Sequence, residues 1–147
     1  MTIGDNMNQD RDSKINEYLQ CDPFAKMLGA KVEIIKPGHS RVTLVITEDM
    51  ANFHGNTHGG VIFSLGDMAF AAASNSHGQK AVALNVSINF LKATKPGDQL
   101  VAEASEKSQN GPIALYDITI KNIQSDEIVA ESQDLVYRKK EWFVDKR

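Results

Sequence analysis

Asp67 is the only formally charged side chain between Met50 and Gln79, inside a run that is otherwise largely apolar, from Val61 through Phe63, Leu65 and Met68 to Ala73. A carboxylate without a partner is costly in a dry interior, so it lies in a pocket, is paired, or carries a raised pKa. Such a group suits a reaction that needs a base or a nucleophile. The blander alternative is that Gly66-Asp67 breaks the run and Asp67 caps a second short helix. Upstream lies Asn52-Phe53-His54-Gly55-Asn56-Thr57-His58-Gly59-Gly60. Glycines in a first turn let a ligand approach the backbone, and the free N–H groups there suit a developing oxyanion. The Gly59 N–H is the candidate donor, with Gly60 beside it.

Gly59 and Asp67 are eight positions apart, which on a straight helix is a rise of about 12 Å. One carbonyl carbon is not easily served by both. Antiparallel pairing of two copies of the helix across a two-fold axis would bring Gly59 of one chain to Asp67 of the other.

These groups need a helix to hold them and a sheet to bury it. From His58 to about Asn75 strand alternation is absent and the helix is apolar nearly all round, so it must be covered on most sides. Ahead of it, Asp22 reads as the N-cap of a short helix with Pro23 in its first position and Gly29 ending it, packing Phe24, Met27 and Leu28 on the core. Residues 30–35 and 40–46 form a hairpin around Lys36-Pro37-Gly38-His39. After Gly78 the period becomes two, placing Val82, Leu84, Val86, Ile88 and Phe90 on one face and Ala83, Asn85, Ser87 and Asn89 on the other. Three more strands cover 99–106, 113–122 and 127–137, with short connections that favour antiparallel neighbours. The fold class is α+β: a long helix wrapped by a curved antiparallel sheet, with a partner subunit covering what the sheet leaves open.

The 147 residues suit one domain, and a net charge of -3 with 24% charged residues offers no broad field for nucleic acid. Residues 1–12 read as a flexible tail without a secretory apolar region, 13–138 as the domain and 139–147 as a C-terminal tail. No stretch reaches the roughly 18 uninterrupted apolar residues of a membrane span, so a soluble, cytoplasmic protein is expected. Cys21 is the only cysteine, which excludes an intrachain disulfide and a cysteine-rich metal site. His54 and His58 have the spacing of a helical metal pair, but Gly55 and the position ahead of the helix argue against it, and no metal is expected. Ser64 lacks the motif of a nucleophilic serine and reads as a small packing residue, while His39 and His77 read as turn and cap residues. The basic, aromatic segment 138–143 reads as a solvated, partly packed tail, with contact to a ligand phosphate as the sharper alternative.

The ordered pattern Asn52, Gly55, His58-Gly59-Gly60, then Phe63-Ser64-Leu65-Gly66-Asp67-Met68-Ala69-Phe70-Ala71, with Asn89-Phe90-Leu91-Lys92 and Tyr116-Asp117-Ile118-Thr119-Ile120 beyond it, resembles the hotdog-fold thioesterases of the phenylacetate-degradation (PaaI-like) type. The resemblance covers about residues 20–138. It implies a hotdog fold and hydrolysis of an acyl-CoA, often aromatic, to free acid and CoA, in a homotetramer of two-fold dimers with shared sites. It also implies that Asp67 acts as general base or nucleophile, that the Gly59 N–H polarises the carbonyl, and that Asn52 and His58 orient substrate or water. No cofactor is implied, CoA being part of the substrate. Gly60, Phe63, Met68 and Phe90 are the pocket candidates. Two positions depart from the pattern: Ala93-Thr94 stands where a proline is common, and Ala83 where some relatives carry a supporting serine, for which Asn85 is the candidate substitute. The competing functions are a non-catalytic acyl-CoA-binding protein and an enoyl-thioester hydratase.

Overall fold

In the computed structural model, which describes residues 3–146, helix α3 (Gly59–Asn75) lies across one face of a six-stranded antiparallel sheet. The strands are β1 (Lys31–Lys36), β2 (His39–Val45), β3 (Gln79–Phe90), β4 (Gln99–Asn110), β5 (Ile113–Asn122) and β6 (Ile128–Trp142). Their spatial order is β1-β2-β4-β5-β6-β3, so β1 and β3 are the edges. The segment from β3 to β4 crosses the whole β6-β5 pair, and the other connections among β4, β5 and β6 are short hairpins.

Why the helix sits so close to the sheet is visible in the residue sizes. Ala102 and Ala104 on β4, Ala114 on β5 and Ala130 on β6 are fully buried beneath it, and Leu65, Ala69, Phe70 and Ala73 fill the space from above. At Gly66 a Cβ would stand 3.3 Å from Ile120 Cδ1, so this glycine permits the close approach to β5 that fixes the height of Asp67. Phe70 then meets Tyr116 edge-on, with ring centroids 5.5 Å apart. Ser40 Oγ donates to the Ala69 carbonyl at 2.6 Å, tying the helix to β2. Removing a core side chain such as Leu65 would cost about 3 kcal/mol.

Helix α2 (Pro23–Leu28) forms as its sequence indicates: Asp22 Oδ1 accepts from Phe24 N at 2.9 Å and Ala25 N at 3.2 Å, and Gly29 closes it at φ 79°. Its packing differs from expectation. Ala25 is the buried residue and Leu28 packs beside it, whereas Phe24 and Met27 are exposed, because six residues present only one narrow face.

Two further differences concern the ends. Residues 3–12, expected as a loose tail, belong to α1 (Ile3–Leu19). Its anchors are few and distant in sequence: Ile15 is buried, Arg11 donates to the carbonyls of His77 and Asp145, and Tyr18 stacks on Phe143 at 4.1 Å. At the other end β6 runs to Trp142, so 139–142 are strand rather than tail.

The faces of β3 also need correction. Ala83 pairs with Val136 and Asn85 with Leu135, leaving Leu84 as an extra residue in a bulge. The bulge shifts the alternation by one, as a one-residue slip must. Val86, Ile88 and Phe90 therefore share the helix-facing side with Ala81 and Ala83, opposite the inward β6 residues, and Val82 and Asn85 turn away.

Candidate active site

The polar approach to α3 is held by its own backbone. Asn52 Oδ1 accepts from His54 N at 2.9 Å and Asn56 N at 3.2 Å, and Thr57 N donates to the Thr94 carbonyl at 2.8 Å. His58 is the N-cap, its Nδ1 accepting from Gly60 N at 2.8 Å. A Cβ on Gly60 would sit 3.0 Å from that nitrogen, so the glycine is what lets the imidazole cap the helix. With Nδ1 accepting, the proton of a neutral ring sits on Nε2.

The cap leaves Gly59, the first helical residue, without an acceptor for its N–H among the described residues. The Asn52 side-chain amide N–H groups are likewise uncommitted there. Asn52, Gly59, Ile62, Phe90 and Lys92 line one cavity of about 310 Å³, with the Phe90 ring 3.8 Å from where a Gly59 Cβ would be. Two free donors and the positive end of a helix thus face a partly apolar hollow, an arrangement that stabilises an oxyanion.

Asp67 stands two turns along α3. It is half-buried, and its carboxylate has neither a hydrogen bond nor an ion pair among the described residues. Burial, and secondarily the charge of Asp22, push its pKa above the ordinary aspartate range. The helix runs unbroken from Gly59 to Asn75, so the capping alternative for Asp67 does not hold. One turn further, Met68, Ala71, Ala72 and Asn75 form a wall of a second cavity, about 430 Å³, closed by Tyr18, Leu19, Cys21, Asp22 and Val32.

Sequence-predicted residues divide accordingly. Asn52, Gly59 and Phe90 come together at the helix N-terminus, and Asp67 and Met68 lie nearer the second cavity. Within one chain the two groups stay apart along the helix axis. Phe63 and Gly60 are exposed on the free side of α3, and Phe53 is 93% exposed. Asn85 faces away from α3, on the opposite side of the sheet from Ala83. Ser64 Oγ donates to the Gly60 carbonyl at 2.7 Å, a packing role. Arg138 is 5% exposed and committed to Glu106 and Tyr116, so it is not free for a ligand phosphate. Among the described residues no group of three His, Cys, Asp or Glu is placed to hold a metal ion. No helix there is long and apolar enough to cross a membrane.

Residues 54–129 match the family described as the thioesterase superfamily. The acyl-coenzyme A thioesterase PaaI of Escherichia coli K12 is 43% identical over 103 residues, covering 70% of this chain and 74% of that one. The chain belongs to the thioesterase superfamily. It is a thioester hydrolase with the PaaI-like hotdog fold, the six-stranded curved sheet around α3 being that fold. The E. coli PaaI structure superposes with a TM-score of 0.84 at 35% identity, covering 90% of this chain and 98% of that one. A Streptococcus mutans UA159 protein solved bound to acetyl CoA superposes with a TM-score of 0.71 at 31% identity over 75% of this chain and 88% of its own.

Two polar groups of the concave face escaped the sequence reading. Asp134 and Ser132 on β6 are buried beneath α3's side of the sheet, and Glu106, Tyr116 and Arg138 form a second cluster with His77. Reading 129–137 for alternation would have found an acid at an inward position, between Ser132 and Val136.

Proposed function

We propose that this thioesterase hydrolyses acyl-CoA thioesters to a free acid and CoA, in a homodimer whose two sites each combine Asp67 of one copy with Gly59, His58 and Asn52 of the other. The observation that carries the reading is the unpartnered, half-buried Asp67 on a helix whose N-terminal Gly59 N–H is also free. In the general-base form, the Asp67 carboxylate takes a proton from water as the water oxygen attacks the carbonyl carbon. The Gly59 N–H and Asn52 amide receive the charge that develops on the carbonyl oxygen. Collapse of that intermediate expels the CoA thiolate, a good leaving group, so attack is the step the site assists. In the nucleophilic form Asp67 attacks first and the resulting anhydride is hydrolysed.

The exposed side of α3 supports the two-fold pairing. Gly60, Phe63 and Ala71 are exposed and Ser64 and Asp67 half-exposed, at the three- and four-residue spacing of one helix face. A second copy laid antiparallel on that face would join the two halves of the site. Assembly of two such dimers into a homotetramer follows the family resemblance.

The cavity beside Met68 and Ala71 is the proposed acyl pocket. Its apolar floor and Tyr18 suit an aryl or short- to medium-chain acyl group. A place in phenylacetate degradation rests on the solved E. coli PaaI, a protein from the phenylacetic acid degradation operon. The test is CoA release from a panel of aryl and straight-chain acyl-CoAs by wild type and Asp67→Asn. Loss of kcat by about 10²- to 10⁴-fold in the variant supports the assignment. Full activity in Asp67→Asn sinks it.

A further inference from the structure

Asp134 is the only buried acidic residue among the described residues, at 1% exposure. It lies on the helix-facing side of β6, across from Val86 on β3 and Tyr116 on β5. Helix α3 passes over the same patch, with Phe70 against Tyr116 and Gly66 against Ile118, the cross-strand partner of Ser132. Asp67 follows Gly66 directly, and its charge reaches Asp134. Among the described residues no cation answers either carboxyl. Arg138, the basic residue on the same face of β6, is bound to Glu106 of β4 and Tyr116 of β5, and β3 presents only Ala81, Ala83, Val86, Ile88 and Phe90 to this side.

Hydrogens can be counted around Ser132. Its Oγ is in hydrogen-bond contact with Asp134 Oδ1 and lies 3.2 Å from the Ser87 carbonyl oxygen. A serine hydroxyl owns one hydrogen, so an ionised Asp134 and the Ser87 carbonyl would compete for it. If the Asp134 carboxyl is protonated, it donates to Ser132 Oγ, which then donates to the Ser87 carbonyl, and the competition for the serine hydrogen is removed. Burial, partly opposed by the hydrogen bonds from Ser132 and the Ser87 backbone and reinforced by the charge on Asp67, moves the Asp134 pKa in the direction that favours this state.

We propose that Asp134 is a positioning residue of the hydrolytic site, holding the single proton of an Asp67–Asp134 pair so that the negative charge needed for attack stays on Asp67. The proposal rests on the hydrolytic role given to Asp67 above. Asp134 is the more deeply buried of the two carboxyls, so burial disfavours its charged form more and the first charge settles on Asp67. During turnover the proton from water goes to Asp67, and the Asp134 proton is not consumed. At alkaline pH, ionisation of Asp134 places a second negative charge near the developing oxyanion and the rate falls.

The experiment is the pH profile of kcat/KM for wild type and Asp134→Asn, together with carbon-13 NMR of aspartate-labelled wild type, the Asp134 carboxyl being assigned through its own Hβ protons. The expected result is a carboxyl that stays protonated at neutral pH, and a wild-type alkaline limb falling about tenfold per pH unit that is absent from Asp134→Asn, whose amide does not titrate. An ionised Asp134 at neutral pH, or an alkaline limb that persists in the variant, overturns the proposal. The NMR titration decides where the proton sits even if Asp134→Asn does not fold. A wild type that releases no CoA overturns the hydrolytic reading instead, and leaves the location of the proton legible.

Discussion

Gly59 and Asp67 lie on one unbroken helix, eight residues apart, with both the Gly59 N–H and the Asp67 carboxylate lacking partners among the described residues. Their separation of about 12 Å along the axis is slightly more than two turns, farther than one thioester carbonyl can bridge. The separation makes the dimer a chemical requirement of the proposed site. The first prediction isolates the donor. Gly59 is the first helical residue and His58 before it has φ −61° and ψ 134°, a backbone compatible with a following proline. Gly59→Pro therefore keeps the helix start and deletes only the N–H. A fall in kcat of about 10²- to 10³-fold with unchanged circular dichroism is expected.

Sharing of the site predicts complementation. Gly59→Pro and Asp67→Asn homodimers are each impaired, but a heterodimer has one site in which both groups are native. Unfolding and refolding the two variants together in equal amounts should recover about a quarter of wild-type turnover, since half of random dimers are mixed and each has one intact site. Turnover no greater than the mean of the separate variants would mean that each site is built from one chain.

How much of this could be read without coordinates depends on whether a signal was local. The α3 limits, the Asp22 cap and the isolation of Asp67 were legible, because caps and charge gaps are properties of neighbouring residues. Even a regular alternation misled at β3: the Leu84 bulge is a cross-strand event, and it turns Ala83 to the helix side while Asn85 stays on the other, so the two no longer share a face. Helix α1 escaped because its anchors, Tyr18 on Phe143 and Arg11 on His77, join residues 66 or more positions apart. Glu106, Tyr116 and Arg138 look like ordinary strand polars until three strands bring them together.

The raised pKa of Asp67 predicts an acid limb. Hydrolysis needs the carboxylate form, so kcat/KM should fall as pH drops through a value above the usual aspartate range. Asp22 contributes the secondary share of that elevation. Asp22→Asn keeps a good N-cap for α2 while removing the charge, so the limb should move to lower pH. A limb displaced upward, or unmoved, would mean that Asp22 does not act on Asp67 through its charge.

The acyl pocket predicts a specificity change at Ala71, which is exposed on α3 and lines the 430 Å³ cavity. Ala71→Phe would occupy the space taken by a ring or a long chain; because Ala71 also lies on the face proposed to meet the second copy, light scattering first confirms that the variant has the wild-type oligomeric state. The ratio of kcat/KM for an aryl-acetyl-CoA to that for acetyl-CoA should fall by about 10-fold or more, the size of effect that hydrophobic pocket contacts provide. Equal losses on both substrates would place the acyl group elsewhere.

Stability should answer to Glu106. Burial alone would raise its pKa, but hydrogen bonds from Tyr116, His77 and Arg138 and the Arg138 charge hold it below the ordinary glutamate range. A carboxyl whose folded pKa is depressed binds fewer protons folded than unfolded. Its stabilisation is present above the unfolded pKa and is lost as pH falls through the folded one. Glu106→Gln leaves the Arg138 guanidinium buried without its carboxylate, so a loss of about 3 kcal/mol at neutral pH is expected from denaturant unfolding. The wild-type and variant curves should converge as the pH is lowered, because protonation removes from the wild type the same charge that the substitution deletes. A difference that stays constant down to strongly acidic pH would show that Glu106 acts through packing alone.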